Sequence, residues 1–340
     1  MPDTADQIPE IAQTWLREGR RVAIATVVET WGSAPRPVGS QLVISDAAAM
    51  MGSVSGGCVE GAVVEEALAA LEDGVPRLLT YGVSDDDAFA VGLACGGTIR
   101  VLVEPVEGAD GIDAGYLDRL VEARAAKRAV TSVICLSDWS RLMMDGSAGT
   151  PLGEAVRAAI ASDRSGVVEL DGEEWFIGVH NPPLRLMIVG GVHIAQTLAV
   201  MARLAGYDVA VIDPREAFAS AERFPDTALL HDWPDVALEA AAPDARTAVV
   251  TLTHDPKLDD PAIRAALGSR VFYLGCLGST RTHAKRVARL EEAGYDAQAV
   301  ARIDAPVGAD IGAKSPAEIA VSIMAEMTER LRRPDTRPGG

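Results

Sequence analysis

Two short segments of the sequence place a cysteine beside a pair of glycines. The first reads GSVSGGC (Gly52–Cys58) and the second reads LACGG (Leu93–Gly97). The first segment leads into a predicted amphipathic helix that runs to about Leu71, so its backbone amides are expected to point outward at the positive end of the helix dipole. That geometry suits an anion such as a phosphate or a dithiolene-phosphate group. The residues expected to contribute are Ser55, Gly56, Gly57 and Cys58.

The cysteines of these two segments, Cys58 and Cys95, are the candidate ligands for a soft metal. A helix start favours the thiolate form of Cys58, and the thiolate is the form that binds soft metals and transfers sulfur. In the second segment the order is reversed: Cys95 comes before its glycine pair, Gly96 and Gly97, between a loop and a strand. The alternative is that both cysteines are small buried residues and that the glycines only form turns. The sequence leaves both alternatives open.

A third candidate is Arg36, which stands between two prolines in the turn-rich stretch TWGSAPRPVGS (Thr30–Ser40). A rigid loop of this kind could hold the guanidinium in place to bind an anion through two hydrogen bonds. The alternative is a solvated turn arginine.

The second half of the sequence carries an altered dinucleotide-binding fingerprint. A buried strand, Arg185–Val189, is followed by GGVHIA (Gly190–Ala195) and then by a helix. The first place of the fingerprint needs glycine for a tight turn, which Gly190 supplies, and the third place accepts alanine. The middle place holds Val192, whose isopropyl group stands where a pyrophosphate would approach. The candidate residues of this loop are Gly190, Gly191 and His193.

An acidic residue, Asp213, ends the second strand of this region 23 residues after Gly190. In a dinucleotide-binding enzyme an acid at this place binds a ribose diol. Arg215 follows closely and could reach a phosphate instead. The alternative is that the fold persists without its usual ligand and that Asp213 only caps the next helix.

Polar loops follow two later strands of the same region. His254 lies in the first of these loops, and Gly278 and Ser279 lie in the second. Because ligands of α/β sheets bind beyond the carboxyl ends of the strands, both loops are expected to line a pocket. The histidines of the chain show no metal-ligand spacing, so each alone is expected to cap a helix or form a hydrogen bond.

Secondary-structure patterns predict an α/β protein of two domains. Residues 1–183 mix strands and helices, and Asn181-Pro182-Pro183 resists both, which marks a boundary. After it, strands alternate with helices, which predicts a Rossmann-like domain with a mostly parallel sheet over residues 184–333. A capping box at Ser315 and Glu318 opens its last helix, and residues 334–340 are expected to form a disordered tail. The strands predicted for this domain are 185–189, 208–213, 227–231, 247–253 and 270–275.

An excess of acidic side chains limits the possible partners. The chain has 49 aspartates and glutamates against 31 lysines and arginines, a formal net charge of −18. Nucleic-acid binding is therefore not expected, and an anionic ligand must be held by local amides and arginines. No apolar run approaches the roughly 20 residues of a membrane helix and the N-terminus lacks signal-peptide features, which predicts a cytoplasmic protein. The four cysteines form no CxxC pair, which indicates neither a disulfide framework nor a zinc site.

Together these segments resemble the XdhC/CoxI family, accessory factors that mature molybdenum hydroxylases such as xanthine dehydrogenase. The resemblance covers nearly the whole chain except residues 108–185, and the motifs occur in the family's order. It is carried in the first half by WGSAPRPVG, GSVSGGCVEG and LACGG, and in the second half by GGVHIAQ, VIDPR, THDPKLDDPA, YLGCLGSTRTHAKR and APVGADIGAKSPAEIAVSIMAE.

The resemblance implies a chaperone that binds the molybdenum cofactor, as molybdopterin or molybdopterin cytosine dinucleotide. It implies that the protein protects the cofactor, supports its sulfuration and delivers it to the apoenzyme of a molybdenum hydroxylase. A cysteine desulfurase partner and a homodimer are implied as well. Glu60, which belongs to the GSVSGGCVEG motif, joins the candidate cofactor-binding residues on this ground. No pair of nucleophile and general base is recognisable, so we expect an accessory factor rather than an enzyme.

Three positions depart from the family pattern. Val192 replaces a glycine, Cys276 stands where alanine is frequent, and Thr280 stands where arginine is frequent. Cys276 is thus a further candidate thiol, with plain packing as the alternative. Two other functions are compatible with the sequence: an NAD(P)-dependent oxidoreductase that uses the Rossmann domain, which Val192 argues against, and a sulfurtransferase that carries a persulfide on Cys58 or Cys95.

Overall fold

A computed structural model describes residues 7–34, 36–82 and 97–333 of the chain. The chain divides into two compact units, one ending at Pro182 and the other beginning at Pro183, which we call the N-terminal unit and the C-terminal unit. The tail predicted to be disordered, residues 334–340, lies outside the described residues. Within the described ranges, no helix is both long and apolar enough to cross a membrane.

Two antiparallel sheets form the N-terminal unit as far as the structure describes it. The first sheet contains β1 (Val22–Trp31), β2 (Gln41–Ser45), β3 (Met50–Gly52), β4 (Arg77–Tyr81) and β5 (Thr98–Pro105), in the order β3-β2-β1-β5-β4. The second contains β6 (Val130–Cys135), β7 (Arg141–Met144), β8 (Gly166–Leu170) and β9 (Glu173–His180), in the order β7-β6-β9-β8. The helices of this unit are α1 (Ile8–Arg17), α2 (Glu60–Asp73), α3 (Ala114–Ala125) and α4 (Pro151–Ser162).

Side chains of β1 alternate between the two faces of the first sheet. Ala23, Ala25 and Val27 pack in a cluster with residues of α2, while Val22 and Ile24 pack with residues of α1 and α3. Successive residues of a strand point to opposite faces, so helices on both faces bury every residue of this part of the strand. The first sheet is therefore a layer between helices, and its strand ends carry the loops of interest.

The sequence patterns do not reveal two short strands of the N-terminal unit. All three residues of β3 are exposed, and none of the four residues of β7 is fully buried. Strands of this kind lack the alternation of apolar and polar residues by which a strand is recognised.

The C-terminal unit is a parallel five-stranded sheet with helices on both faces. Its strands are β10 (Arg185–Val189), β11 (Asp208–Ile212), β12 (Ala228–Leu230), β13 (Thr247–Thr251) and β14 (Tyr273–Cys276), in the order β12-β11-β10-β13-β14. The order reverses between β10 and β13, and this switch point is where ligands of such sheets bind. The helices are α5 (His193–Leu204), α6 (Pro234–Ala241), α7 (Pro256–Leu267), α8 (Thr280–Glu292), α9 (Ala297–Val300) and α10 (Pro316–Arg332). The predicted α/β fold with a Rossmann-like C-terminal domain is confirmed.

The last strand of the sheet lies further along the chain than predicted. The sequence predicts 270–275, whereas β14 begins at Tyr273, which is paired with Ala248 of β13, and ends at Cys276. Pairing with a neighbour fixes the ends of a strand, and the apolar run alone does not contain this information. Cys276 is therefore part of the strand and not of the loop that follows it.

The capping box at the start of α10 is present as predicted. The Ser315 hydroxyl oxygen accepts a hydrogen bond from the Glu318 amide at 3.3 Å, and the Glu318 carboxylate accepts from the Ser315 amide at 2.8 Å. These bonds satisfy amides that have no partner within the helix.

We expect Ser315→Ala to lower the free energy of unfolding by about 1 kcal/mol, because it removes the cap of a long helix. Denaturant unfolding followed by circular dichroism measures the change. Thr328→Ala is the matched control on the same helix. Among the described residues the exposed Thr328 hydroxyl bonds only to the Met324 carbonyl, and alanine is the better helix former. Equal stability of Ser315→Ala and Thr328→Ala would contradict the prediction.

Candidate functional site

The carboxylate of Glu60 fills the inside of the first glycine–cysteine segment. Glu60 is the first residue of α2. Its Oε1 accepts hydrogen bonds from the Ser53 hydroxyl (2.7 Å) and the Ser55 amide (2.9 Å), and its Oε2 accepts from the Ser55 hydroxyl (2.5 Å) and the Gly57 amide (2.8 Å). The loop therefore holds an anion that belongs to the protein itself.

The other amides of this segment are also bonded internally. Gly56 donates to the Ser53 hydroxyl oxygen at 2.9 Å, while Cys58 and Val59 donate to the Ser55 hydroxyl oxygen at 3.1 and 2.9 Å. These amides do not have the predicted outward orientation, because acceptors within the same loop reach them first. The sequence contained a signal for this, since a glutamate at a helix start commonly bonds to amides just before it.

Glu60 remains ionised although only 7% of it is exposed. Burial alone would raise its carboxyl pKa, but hydrogen bonds from the Ser55 and Ser53 hydroxyls and from the Ser55 amide lower the pKa of Glu60 to about 2. Its negative charge also lies at the positive end of the α2 dipole. Charge-assisted hydrogen bonds of this kind are the strong ones, so they hold the loop in one conformation.

Cys58 is exposed and forms no disulfide. Val59 is the N-cap of α2, so Cys58 lies just before the helix. The structure places no group of three or more histidine, cysteine, aspartate or glutamate side chains around a metal position in the residues it describes. Cys95 and Gly96, the other predicted ligand and its neighbour, lie outside those residues. Metal binding by the two cysteines stays a prediction.

Two of the predicted segments meet at one end of the first sheet. A Cβ on Gly97 would lie 2.4 Å from the Ser33 carbonyl oxygen and 2.9 Å from that of Trp31, so only glycine fits here. Ala34 in turn packs against the core cluster that contains Val54 and Val59. The structure thus brings Gly97, the end of the LACGG segment, next to Trp31 and Ser33, and Ala34 packs against the same core as Val54 and Val59 of the loop closed by Glu60.

Arg36 is half-buried in this region. Its Nε atom is buried and has no hydrogen-bond partner in the part of the chain that the structure describes. Buried guanidinium nitrogens nearly always have an acceptor. The predicted contact of Arg36 with an anion is consistent with this, and it stays a prediction.

The glycine loop of the C-terminal unit is tied to the sheet by its own backbone. The Gly190 amide donates to the Ile212 carbonyl at 2.8 Å, and the Gly191 amide donates to Asp213 Oδ2 at 2.9 Å. A Cβ on Gly191 would lie 2.4 Å from the Phe218 carbonyl oxygen, so the segment after β11 covers the loop closely. Val192 is the N-cap of α5 and packs partly against the core. His193 follows as the exposed first residue of that helix.

Asp213 is fully buried and both of its carboxylate oxygens are occupied. Oδ1 accepts from the Arg215 amide (3.0 Å) and from Arg215 Nε (2.8 Å), while Oδ2 accepts from Arg215 Nη2 (2.8 Å) and from Gly191. Burial would raise the pKa of Asp213, but hydrogen bonds from Arg215 and Gly191 outweigh burial and lower it. Asp213 therefore joins the glycine loop to Arg215 and is the N-cap of none of the described helices. Binding of a ribose diol by Asp213 stays a prediction.

Arg215 is committed to the same interaction. Its guanidinium forms two hydrogen bonds to Asp213 and lies 3.9 Å above the centre of the Phe218 ring. The cation–π contact and the ion pair fix the plane of the guanidinium. The predicted contact of Arg215 with a phosphate would require its guanidinium to bind the phosphate and Asp213 at the same time.

The loops that follow β13 and β14 lie at the carboxyl edge of the sheet, as expected. His254 has a positive φ of 61°, and Asp255 next to it caps α7 by accepting from the Lys257 amide. Gly278 precedes Ser279, whose hydroxyl oxygen accepts from the Thr282 amide and caps α8. Basic side chains of α8 that the sequence argument overlooked lie in the same cleft as His254; they are Arg281, Lys285, Arg286 and Arg289.

Cys276 has a packing role. It is fully buried at the end of β14. Burial raises the pKa of the Cys276 thiol to about 12, although Arg286 and the Thr251 hydroxyl act in the opposite direction. A thiol of this kind is neutral at physiological pH and is a poor ligand and nucleophile.

Two family models match this chain, and they correspond to its two units. The model described as the XdhC Rossmann domain matches residues 186–327, and the model described as the XdhC and CoxI family matches residues 15–82. The protein is thus an α/β protein of the class that joins a glycine–cysteine loop domain to a Rossmann domain. It belongs to the XdhC and CoxI family.

Individual relatives agree with this assignment over nearly the whole length. The Escherichia coli (strain K12) protein named molybdenum cofactor insertion chaperone PaoD is 32% identical over 92% of this chain and 84% of its own. A Bacillus subtilis (strain 168) protein, named as a probable component of xanthine dehydrogenase, is 28% identical over 94% of this chain and 96% of its own. A crystal structure described as a xanthine dehydrogenase from Bacillus halodurans has a TM-score of 0.74 and 25% identity, covering 99% of this chain and 98% of that one.

We expect Glu60→Gln to lower the free energy of unfolding by roughly 2 kcal/mol, because an amide cannot replace both charged oxygens of the network. The folded-state pKa of about 2 lies below the ordinary value of 4.5. The ionised group therefore adds stability above that ordinary value, and this stability is lost as the pH falls toward 2. Unfolding titrations across this range measure the effect.

Glu65→Gln serves as the control, since Glu65 is an exposed residue of the same helix. Its stability should match that of the wild type at every pH. A difference between Glu60→Gln and the wild type that does not shrink on acidification would contradict the role assigned to Glu60.

We also expect NAD(H) and NADP(H) to bind no more tightly than about millimolar. The reason is that Asp213 is already bonded on both oxygens, so a ribose diol would have to displace hydrogen bonds of this buried carboxylate to Arg215 and Gly191. Val192→Gly should not restore binding, because it leaves Asp213 occupied. Calorimetric titration of both proteins tests this, and micromolar binding by either one would contradict it.

Proposed function

We propose that this protein binds the molybdenum cofactor and inserts it into a molybdenum hydroxylase of the xanthine dehydrogenase type. The observation that carries the proposal is the similarity to the E. coli insertion chaperone, which extends over 92% of this chain and 84% of the relative. A match of this extent includes both units, so it is not explained by the Rossmann fold alone.

The two units support this proposal in different ways. The N-terminal unit holds an exposed Cys58 just before α2, next to the loop closed by Glu60, and its half-buried Arg36 has a buried Nε without a partner in the described residues. The C-terminal unit has a Rossmann sheet whose dinucleotide acid, Asp213, is bonded internally. A holder of a cofactor needs donors and a thiol within reach, whereas a dehydrogenase needs an open dinucleotide site.

The finer parts of the proposal concern sulfur transfer and assembly. The protein protects the cofactor while a cysteine desulfurase supplies its terminal sulfur, and it acts as a homodimer. An exposed thiol at Cys58 supports a role close to the sulfur, as a ligand or as a persulfide carrier. The bound form is molybdopterin or its cytosine dinucleotide.

Protein purified without oxygen from cofactor-producing cells should contain molybdenum and release a fluorescent pterin on oxidation. Cys58→Ser should lower the molybdenum content about tenfold if the thiolate is a ligand. Cys276→Ser is the matched thiol control and should keep the wild-type content. Metal analysis and pterin fluorescence provide the measurement, and wild-type protein that carries neither metal nor pterin would overturn the proposal.

The persulfide role is tested separately. Cys58→Ser that still supports full activity of the target hydroxylase excludes a persulfide on Cys58. Loss of activity with unchanged molybdenum content assigns sulfur transfer to this residue.

A further inference from the structure

A basic cleft lies in the C-terminal unit between the loop that follows β13, the first turn of α7 and the helix α8. It has a volume of about 500 Å³. Four cations of α8 line it in a chain whose net charge is −18. A local concentration of positive charge against such a background attracts anions. The ionisable residues that line the cleft are His254, Asp259, Arg281, Lys285, Arg286 and Arg289.

Arg286 is the unusual member of this cleft because it is only 2% exposed. Its Nη2 donates to the Leu277 carbonyl at 2.9 Å. Its Nε and Nη1 are buried and have no hydrogen-bond partner in the described ranges. A buried charge without a partner is costly, and native proteins seldom leave buried donors unsatisfied. These two N–H groups therefore call for an acceptor that the chain itself does not supply.

The acidic residues near the cleft form no ion pair with Arg286 in the described residues, although the charge of Arg286 acts on the buried Asp259. Asp259 accepts from the Thr253 hydroxyl at 2.7 Å, and within the described residues it forms no ion pair with Arg286. Burial raises the pKa of Asp259, and the positive charge of Arg286 opposes this only in part. Asp260 pairs instead with Arg289, at 2.6 and 2.8 Å.

The remaining cations are available. Arg281 and Lys285 are exposed, and neither has a carboxylate partner in the part of the chain that the structure describes. Arg281 also belongs to the first turn of α8, a helix of 13 residues that begins at this cleft. The positive end of its dipole adds to the potential of the side chains.

We infer that this cleft binds a phosphate or pyrophosphate group, with Arg286 as the buried anchor and with Arg281 and Lys285 closing over the anion from the surface. Its assignment to the phosphate end of the molybdenum cofactor rests on the proposed function. The phosphate of a pterin and the pyrophosphate of a nucleotide share this chemistry. Rossmann domains ordinarily bind a phosphate at the glycine loop. In this domain the Gly191 amide of that loop is bonded to Asp213, and the anion binds at the start of α8 instead.

Calorimetric titration of the full chain with inorganic pyrophosphate at low ionic strength tests the site. The double variant Arg281→Gln/Lys285→Gln should bind about tenfold more weakly or worse, because it loses two cations at the anion. Arg264→Gln, an exposed arginine of α7 outside the cleft, should bind as the wild type does. No binding by the wild type, or equal binding by all three proteins, would overturn the inference.

Arg286→Met distinguishes an anion-binding arginine from a structural one, because pyrophosphate binding and the unfolding temperature are both measured. If Arg286 is an unsatisfied anchor, the variant loses pyrophosphate binding while the unfolding temperature of the free protein stays the same or rises. A lower unfolding temperature together with unchanged binding by the double variant would show a structural role and overturn the inference.

Two further measurements separate the possible outcomes. Tighter binding of cytidine diphosphate than of pyrophosphate assigns the anion to a nucleotide, and equal binding assigns it to a phosphate without a nucleoside; both results support the anion site. Molybdenum and pterin content of the double variant addresses the proposed function. Wild-type protein that carries cofactor but does not bind pyrophosphate overturns this inference alone, whereas pyrophosphate binding without any cofactor overturns the proposed function alone.

Discussion

Hydrogen bonding of a buried carboxylate to glycine-loop amides is common to both units of this protein, and it limits the donors that each loop can offer to a ligand. In the C-terminal unit Asp213 accepts from the Gly191 amide and from Arg215. In the N-terminal unit Glu60 accepts from the Ser55 and Gly57 amides. Both loops are of the kind that elsewhere holds a phosphate, and here the chain's own anion takes that place. The loops are consequently rigid without a ligand, and the donors left for a ligand are side chains.

The fold could be predicted from the sequence wherever burial imposes a regular pattern. The strand Arg185–Val189 is buried on both faces and reads as one apolar run, so its ends agree with the prediction. The capping box at Ser315 was equally readable, because it depends on residues three apart. β3 and β14 show the limit: the first is an exposed edge strand and the second is positioned by its pairing with β13. Pairing is a non-local property that local patterns do not record.

The site could be predicted less completely, for a different reason. Composition and spacing identified Asp213 and the Ser55–Cys58 segment as unusual, but they could not show which group each donor would meet. A carboxylate two residues before an arginine is as compatible with a ligand site as with an internal ion pair. Arg286 was overlooked because one arginine in a helix carries no signal, and its unsatisfied donors become visible only when its burial is known. The family resemblance supplied the function that the residues alone left open.

Bonding on both oxygens of Asp213 also decides which molecules compete for the sheet edge. Common dinucleotides are the ordinary ligands of a Rossmann domain, and a free acid here would admit them. In this protein they would have to displace Arg215 from its ion pair with the buried Asp213. The penalty comes from an existing interaction and not from a bulky side chain. Discrimination of this type acts against the wrong ligand without adding affinity for the right one. Dinucleotides that are abundant in a cell would therefore compete only weakly for this edge of the sheet.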